Sequence, residues 1–236
     1  MCIRDSVRDP SKVYLGTSTE NFSTSIPGTR IDDQIETDGA IAGVNAGAFF
    51  DNGTSDPSVG SVPEGLVYSK GVCKWTTGSP PNGIKGFAGF NKDNILVVAQ
   101  DNLSKAQAEE LNIRDGCCFG PVLIMNGEIN QEAYNSNSGW NPRTAIGQRK
   151  DGAVVFVCID GRQAGSAGGT YKDVIDIMIE YGVVNACNMD GGSSSIMVYR
   201  DTYGLFGEAG TVQVINSYSL LQERPRKMPT FWMVAP

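Results

Sequence analysis

Two apolar runs constrain this chain more than any other feature. Residues 153–159 read AVVFVCI and residues 183–189 read VVNACNM. Runs this apolar, without polar alternation, belong to strands buried on both faces. Between them lies TYKDVIDIMIEYG (170–182), in which Val174, Ile177, Met178 and Tyr181 recur three or four residues apart and line one helix face. Thr170 and Asp173 form a capping box at its start, and Gly182 is its stop. Strand, helix, strand in this order is a βαβ unit, so the two strands are expected to run parallel with a right-handed crossover.

Parallel strands end at the same edge of a sheet. Asp160 follows the first run and Asp190 the second, and the helix amino terminus near Gly168 to Thr170 faces that edge too. Ligands of α/β sheets bind beyond the carboxyl ends of the strands, and a helix amino terminus attracts anions. In DGGSSS (190–195), Gly191 and Gly192 permit close approach, while Ser193 and Ser194 offer hydroxyls. Arg162, in the DGR that ends the first strand, adds a forked cation. Asp-Gly alone is a common turn dipeptide. Two of them at one rim point instead to a site.

The remaining segments read as hairpins. Residues 65–75 turn near Ser69 to Gly71, 86–90 pair with 94–99, CFGPVLIMNGEI turns at Asn126–Gly127, and 143–148 pair with 153–159 across Lys150 to Gly152. SKAQAEELNI (104–113) is a short helix capped by Ser104, with Leu111 as its apolar contact. NAGAFF ends a strand with Asn45 and Gly47. Pro142 holds Arg143 extended, so Arg143 can reach an anion as it and Thr144 open the next strand. The expected class is α+β: mixed, mainly antiparallel sheets with many hairpins, one central βαβ unit and few helices. The 236 residues fit one domain, with 1–39 as an edge region and the core motifs in 40–235.

Composition closes off several functions. A net charge of −7 argues against nucleic-acid binding, which wants a basic face. No apolar run has the length of a membrane span, and no basic-then-apolar leader opens the chain, which is expected to begin inside a longer gene product. The absence of histidine excludes a Ser-His-Asp triad, a Cys-His dyad and histidine metal ligands. Acid–base chemistry falls to carboxylates, Lys, Tyr or Cys. Of the six cysteines none forms a CxxC pair; Cys158 and Cys187 read as buried packing, and a disulfide would join Cys73 to Cys117 or Cys118. No cofactor is expected. The alternative, Ca²⁺ or Mg²⁺ on the aspartates, lacks EF-hand spacing. The methionines and tryptophans read as packing, and Asn21, Asn52 and Asn102 are short sequon matches.

The succession NAGAFF, FGPVLIMNGEI, NPRTAIGQRKDGAVVFVCIDGR and GTYKDVIDIMIEYGVVNACNMDGGSSSIMV resembles the phosphodiester glycosidase family over roughly residues 40–235. That resemblance implies hydrolysis of a sugar-1-phosphodiester, of the N-acetylglucosamine-1-phosphodiester kind, between the anomeric carbon and the phosphate oxygen. It implies catalytic roles for Asp190, Asp160, Arg162 and Arg143. Asn45, Gly47, Thr144, Gly191, Gly192, Ser193 and Ser194 would bind a glycan or sugar-phosphodiester substrate, with no metal. An extracellular or cell-envelope setting is implied as well. Here NAGA stands where the family commonly shows N-G-G, and Ser193 follows DGG where many relatives have a third glycine. On this reading Asp190 attacks or activates water and Asp160 complements it. Adjacent strands would suit a retaining pair, and one intervening strand an inverting pair. The competing reading is a non-catalytic carbohydrate-binding module that keeps the cleft.

Overall fold

The structure is a computed structural model that describes residues 2–50, 59–77, 85–205, 207–217 and 224–236. One sheet has six strands in the order β1 (Cys2–Val7), β14 (Val154–Ile159), β13 (Arg143–Arg149), β15 (Val183–Met189), β11 (Val122–Met125), β12 (Glu128–Ile129). A second has β7 (Val72–Thr76), β6 (Leu66–Ser69), β10 (Ile113–Cys118), β8 (Phe87–Asn91) and β9 (Leu96–Ala99). A third has β17 (Val212–Val214), β16 (Met197–Arg200), β3 (Ala42–Asn45), β18 (Thr230–Val234) and β2 (Val13–Thr17). β4 (Phe49–Phe50) and β5 (Val62–Pro63) form a short ribbon. The helices are α1 (Ile31–Asp38), α2 (Lys105–Glu110), α3 (Gln131–Asn135) and α4 (Tyr171–Glu180).

All four expected hairpins form, as β6–β7, β8–β9, β11–β12 and β13–β14. So does the capping box, with the Asp173 N–H donating to Thr170 Oγ1 and the Thr170 N–H to Asp173 Oδ2. The βαβ unit takes a split form. β14 and β15 run parallel, yet each pairs antiparallel with β13, which lies between them. Helix α4 therefore bridges two strands that do not touch. Its stripe also differs from expectation: Val174, Ile175 and Met178 are buried, while Ile177 and Tyr181 pack at the margin. In α2 the buried residue is Ala108, and Leu111 is 40% exposed. The sequon at Asn52 lies outside the described residues.

Three sheets enclose one core, and a helical layer covers each from outside. Strand β14 explains its own apolar run. Val154, Phe156 and Cys158 face the shared core with Ile146, Cys187 and Met189. Val155, Val157 and Ile159 face the opposite way, against Val174, Ile175 and Met178 of α4. Strand β18 repeats this logic: Trp232 and Val234 enter the shared core, and Phe231 and Met233 meet Ile31 and Ile35 of α1. Ala108 of α2 covers Tyr68 and Phe87 in the same way. A strand with helix on one side and core on the other has no face on which a polar residue is cheap.

Trp232 stands where the sheets meet. Its ring is edge-on to Phe90 at 5.7 Å, and its indole N–H points at the Met189 sulfur at 3.3 Å. That contact supports the strand end that carries Asp190. Cys73, Cys117, Cys118, Cys158 and Cys187 are free thiols, so no disulfide joins Cys73 to the vicinal pair. Burial pushes the Cys118 thiol up to about 11 and Cys117 well above its ordinary value, which keeps both protonated and unreactive.

Trp232→Ala is expected to cost about 3–5 kcal/mol of unfolding free energy. Tyr203→Ala, at a site 78% exposed, should stay within about 0.5 kcal/mol. Urea denaturation of both variants checks the pair.

Candidate active site

The first sheet delivers three charged residues to one edge. Arg143 opens β13 opposite Ile159, and Thr144 lies opposite both Cys158 and Met189. Asp160 and Asp190 thus leave the sheet on either side of the start of β13. Their strands are two spacings apart, about 10 Å.

A buried amide fixes the position of Asp190. Asn45, 0% exposed at the end of β3, donates from Nδ2 to the Asp190 carbonyl at 2.6 Å. Its Oδ1 accepts from Thr144 Oγ1 at 2.7 Å and from the Ile196 N–H at 3.1 Å. The Asp190 N–H donates to the Ala46 carbonyl at 3.0 Å. Asn45 and Thr144 were expected to touch substrate; both are fully buried and act on the site through the Asp190 backbone. Gly47 serves packing too. A Cβ there would lie 2.9 Å from Cys117 Cβ, and its N–H donates to Thr230 Oγ1.

Beyond Asp190 the chain turns sharply. The partly exposed Asp190 carboxylate accepts from the Gly191 N–H at 2.9 Å. Gly192, with φ +62°, donates to the Pro142 carbonyl at 3.0 Å and begins a 3-10 turn over Gly192–Ser194. A Cβ on Gly192 would meet the Arg162 guanidinium at 3.2 Å, so its bareness admits the arginine. Ser193 is exposed, whereas Ser194 is buried beneath the turn.

Two arginines flank this turn. Arg162 is exposed, has the left-handed φ of 58°, and donates to Asn141 Oδ1 at 2.8 Å. A non-glycine residue in that region is strained and is held by its surroundings. Arg226 donates to Ser193 Oγ at 3.2 Å and lies 4.9 Å over the Phe49 ring. Sequence reasoning passed over Arg226; a basic cluster, RPRK at 224–227, in an acidic chain was the available signal.

Arg143 and Asp160 are engaged elsewhere. Arg143 Nε donates to the Gly169 carbonyl at 3.0 Å, and Nη2 donates to the Ser138 and Gly139 carbonyls. The Tyr171 ring covers its guanidinium at 4.2 Å, and desolvation draws its pKa down. It clamps the 138–139 loop where the sequence led one to expect a phosphate ligand. Asp160, 2% exposed, accepts at Oδ1 from Asn216 Nδ2 and the Ser217 N–H, both at 3.1 Å. At the amino terminus of α4, the Tyr171 N–H donates to Ser138 Oγ and the Asp173 N–H to Thr170 Oγ1. Protein groups take these donors, which leaves an anion to the arginines.

One further carboxyl belongs here. Glu64, 2% exposed just after β5, donates its N–H to the Ala48 carbonyl at 2.8 Å. Burial first, and then the negative charge of Asp190, push its pKa above the ordinary value. Nothing in VPEGL announces it, because both causes are tertiary. Among the described residues no group of three or more Asp, Glu or Cys is arranged to hold a metal ion.

Asn45→Ala would leave the Thr144 hydroxyl, the Ile196 N–H and the Asp190 carbonyl without their buried partner. A loss of about 3 kcal/mol or more is expected from denaturant melts. A loss below about 1 kcal/mol would show that the amide is dispensable.

A Bacillus subtilis (strain 168) protein, the SPbeta prophage-derived uncharacterized protein YomE, is 33% identical over 93 residues, which are 38% of this chain and 14% of that protein. The chain thus spans only a small part of that relative's length. The zebrafish N-acetylglucosamine-1-phosphodiester alpha-N-acetylglucosaminidase catalytic domain, auto-inhibited by its pro-peptide, superposes with TM-score 0.69 at 18% identity, over 100% of this chain and 82% of that one. An exported-protein candidate from Burkholderia pseudomallei K96243 gives TM-score 0.63 at 15% identity, over 98% of this chain and 73% of that one. At such identities these two likenesses speak to fold alone. The phosphodiester glycosidase family profile matches residues 38–235, and the chain therefore belongs to the phosphodiester glycosidase family.

Proposed function

We propose that this chain hydrolyses a sugar-1-phosphodiester, with Asp190 and Glu64 as its working carboxyls and Arg162 and Arg226 as its phosphate clamp. One observation carries the reading. Asp190 is partly exposed with a backbone N–H on its carboxylate, while Glu64 is buried and raised in pKa by burial and by Asp190. A buried carboxyl with a raised pKa suits the acid, which leaves the partly exposed carboxylate of Asp190 as the base.

Ionised Asp190 takes a proton from water as the water oxygen bonds to the anomeric carbon. The bond from that carbon to the phosphate oxygen breaks, and its electron pair leaves with the phosphate. Glu64, protonated, gives its proton to the departing oxygen. A phosphate is already a stable anion when it leaves, so this acid adds less than it would for a plain alcohol. The guanidinium groups offset charge as it gathers on the phosphate. Asp160 holds the 216–217 segment as a wall of the site. An extracytoplasmic glycan is the substrate class this reading favours, and no helix among the described residues is long and apolar enough to cross a membrane. The steps use side chains alone, so treatment with EDTA should leave the rate unchanged.

Asp190→Asn should lower kcat by about 10³-fold or more while the fold persists, and Glu64→Gln by about 10²-fold. Normal turnover by Asp190→Asn would sink the assignment. Glycan binding by calorimetry with no product from the wild type would favour the binding-module reading. The active form has Asp190 ionised and Glu64 protonated, so the rate falls as pH rises through the raised pKa of Glu64. Stability follows the same sign. Below the unfolded-state pKa Glu64 is neutral in both states; as pH rises from there through the folded pKa, only the unfolded chain releases the proton and stability drops. Glu64→Gln should remove that slope in thermal melts recorded across acid to neutral pH.

A further inference from the structure

Asn141 carries no part of the proposed chemistry, yet its side chain holds an exposed guanidinium of the site. Oδ1 accepts from Arg162 Nη2 at 2.8 Å, and Nδ2 donates to the Ser138 carbonyl at 3.2 Å. That carbonyl can only accept, so it fixes which end of the amide meets the arginine. The same carbonyl accepts from Arg143 Nη2 at 2.8 Å. A relay results. Buried Arg143 holds Ser138, Ser138 sets the Asn141 amide, and the amide aims Arg162.

Backbone contacts keep the two loops together. Asn141 exchanges both backbone hydrogen bonds with Gly169. A Cβ on Gly161 would lie 2.7 Å from the Pro142 nitrogen, and one on Gly168 would lie 2.5 Å from the Asn141 nitrogen. Only bare glycines let the chains touch there. Arg162, next to Gly161, has the left-handed φ of 58°, so its stem leaves the backbone in a direction that the loop imposes.

We infer that Asn141 is a positioning residue, which presets Arg162 for phosphate without neutralising it. A long side chain that is already ordered loses less entropy when an anion arrives. A carboxylate at 141 would accept the same hydrogen bond more strongly. It would also set a negative charge against Arg162 and cancel part of the field that an incoming phosphate meets. An amide aims the cation and leaves its charge intact. Resting on the proposed clamp, this extends it inward to Arg143, which serves the phosphate through two other residues.

The test is anion binding, read without turnover. Sulfate, a tetrahedral dianion, would be titrated at constant ionic strength and followed by NMR shifts of the Gly191 and Gly192 N–H groups. The proteins are the wild type, Asn141→Ala, Asn141→Asp, Arg162→Gln and the double variant Asn141→Ala/Arg162→Gln. Arg162→Gln should weaken binding about tenfold or more, Asn141→Ala about threefold and Asn141→Asp about tenfold. With Arg162→Gln already present, Asn141→Ala should leave affinity within about 1.5-fold, because the amide acts only through the arginine. Asn141→Ser, too short to reach Arg162, serves the same cycle if Asn141→Ala fails to fold. An equal loss in both backgrounds would mean a merely structural role and overturn the inference, as would wild-type affinity in Asn141→Asp. Sulfate binding that survives Arg162→Gln, or is absent from the wild type, would overturn the clamp and the inference together.

Discussion

The side-chain amide of Asn45 donates to the Asp190 carbonyl while accepting from Thr144 and the Ile196 N–H, and in doing so it joins the ends of three strands. β3 belongs to the third sheet, β13 and β15 to the first. Beside that junction, the Asp190 N–H donates to the Ala46 carbonyl, and these directional bonds resist sliding more than the apolar contacts around them do. A shift of one residue in β15 would turn Met189 out of the core and move Asp190 away from Asn45. The Met189 contact with Trp232 opposes the same slip from the core side. Fold and site therefore fail or hold together.

Around this junction the polar side chains divide by burial. Asn45, Thr144, Asp160 and Arg143 are buried and bonded inward. Arg162 and Ser193 are exposed, Asp190 and Arg226 partly so. The buried set fixes backbone, and the outer set meets solvent and whatever enters from it. Arg143 directs its charge inward. A guanidinium that donates to three carbonyls and lies under Tyr171 has little left for a phosphate.

Much of this was legible in residue order. The unbroken apolar runs of β14 and β15 record burial on both faces, and Thr170, Asp173 and Gly182 record the ends of α4. The place of β13 between them was less plain, although a clue existed. A hairpin from β13 to β14 occupies one edge of β14, and β1 occupies the other, so β15 could pair only beyond the hairpin. The influence of the Asp190 charge on Glu64 had no local trace. It arises because β5 returns beside Ala48, next to the segment that Asp190 bonds. Turn dipeptides told where the chain bends, and only tertiary contact told which carboxyl is buried.

The proposed chemistry requires Glu64 and Asp190 to act as one coupled acid–base pair. Its most direct test is an NMR titration of the Glu64 carboxyl carbon in the wild type and in Asp190→Asn. In the wild type the midpoint should lie above that of an ordinary glutamate and fall when the Asp190 charge is removed, with the part due to burial remaining. A midpoint at the ordinary value, or one that Asp190→Asn leaves in place, would contradict it.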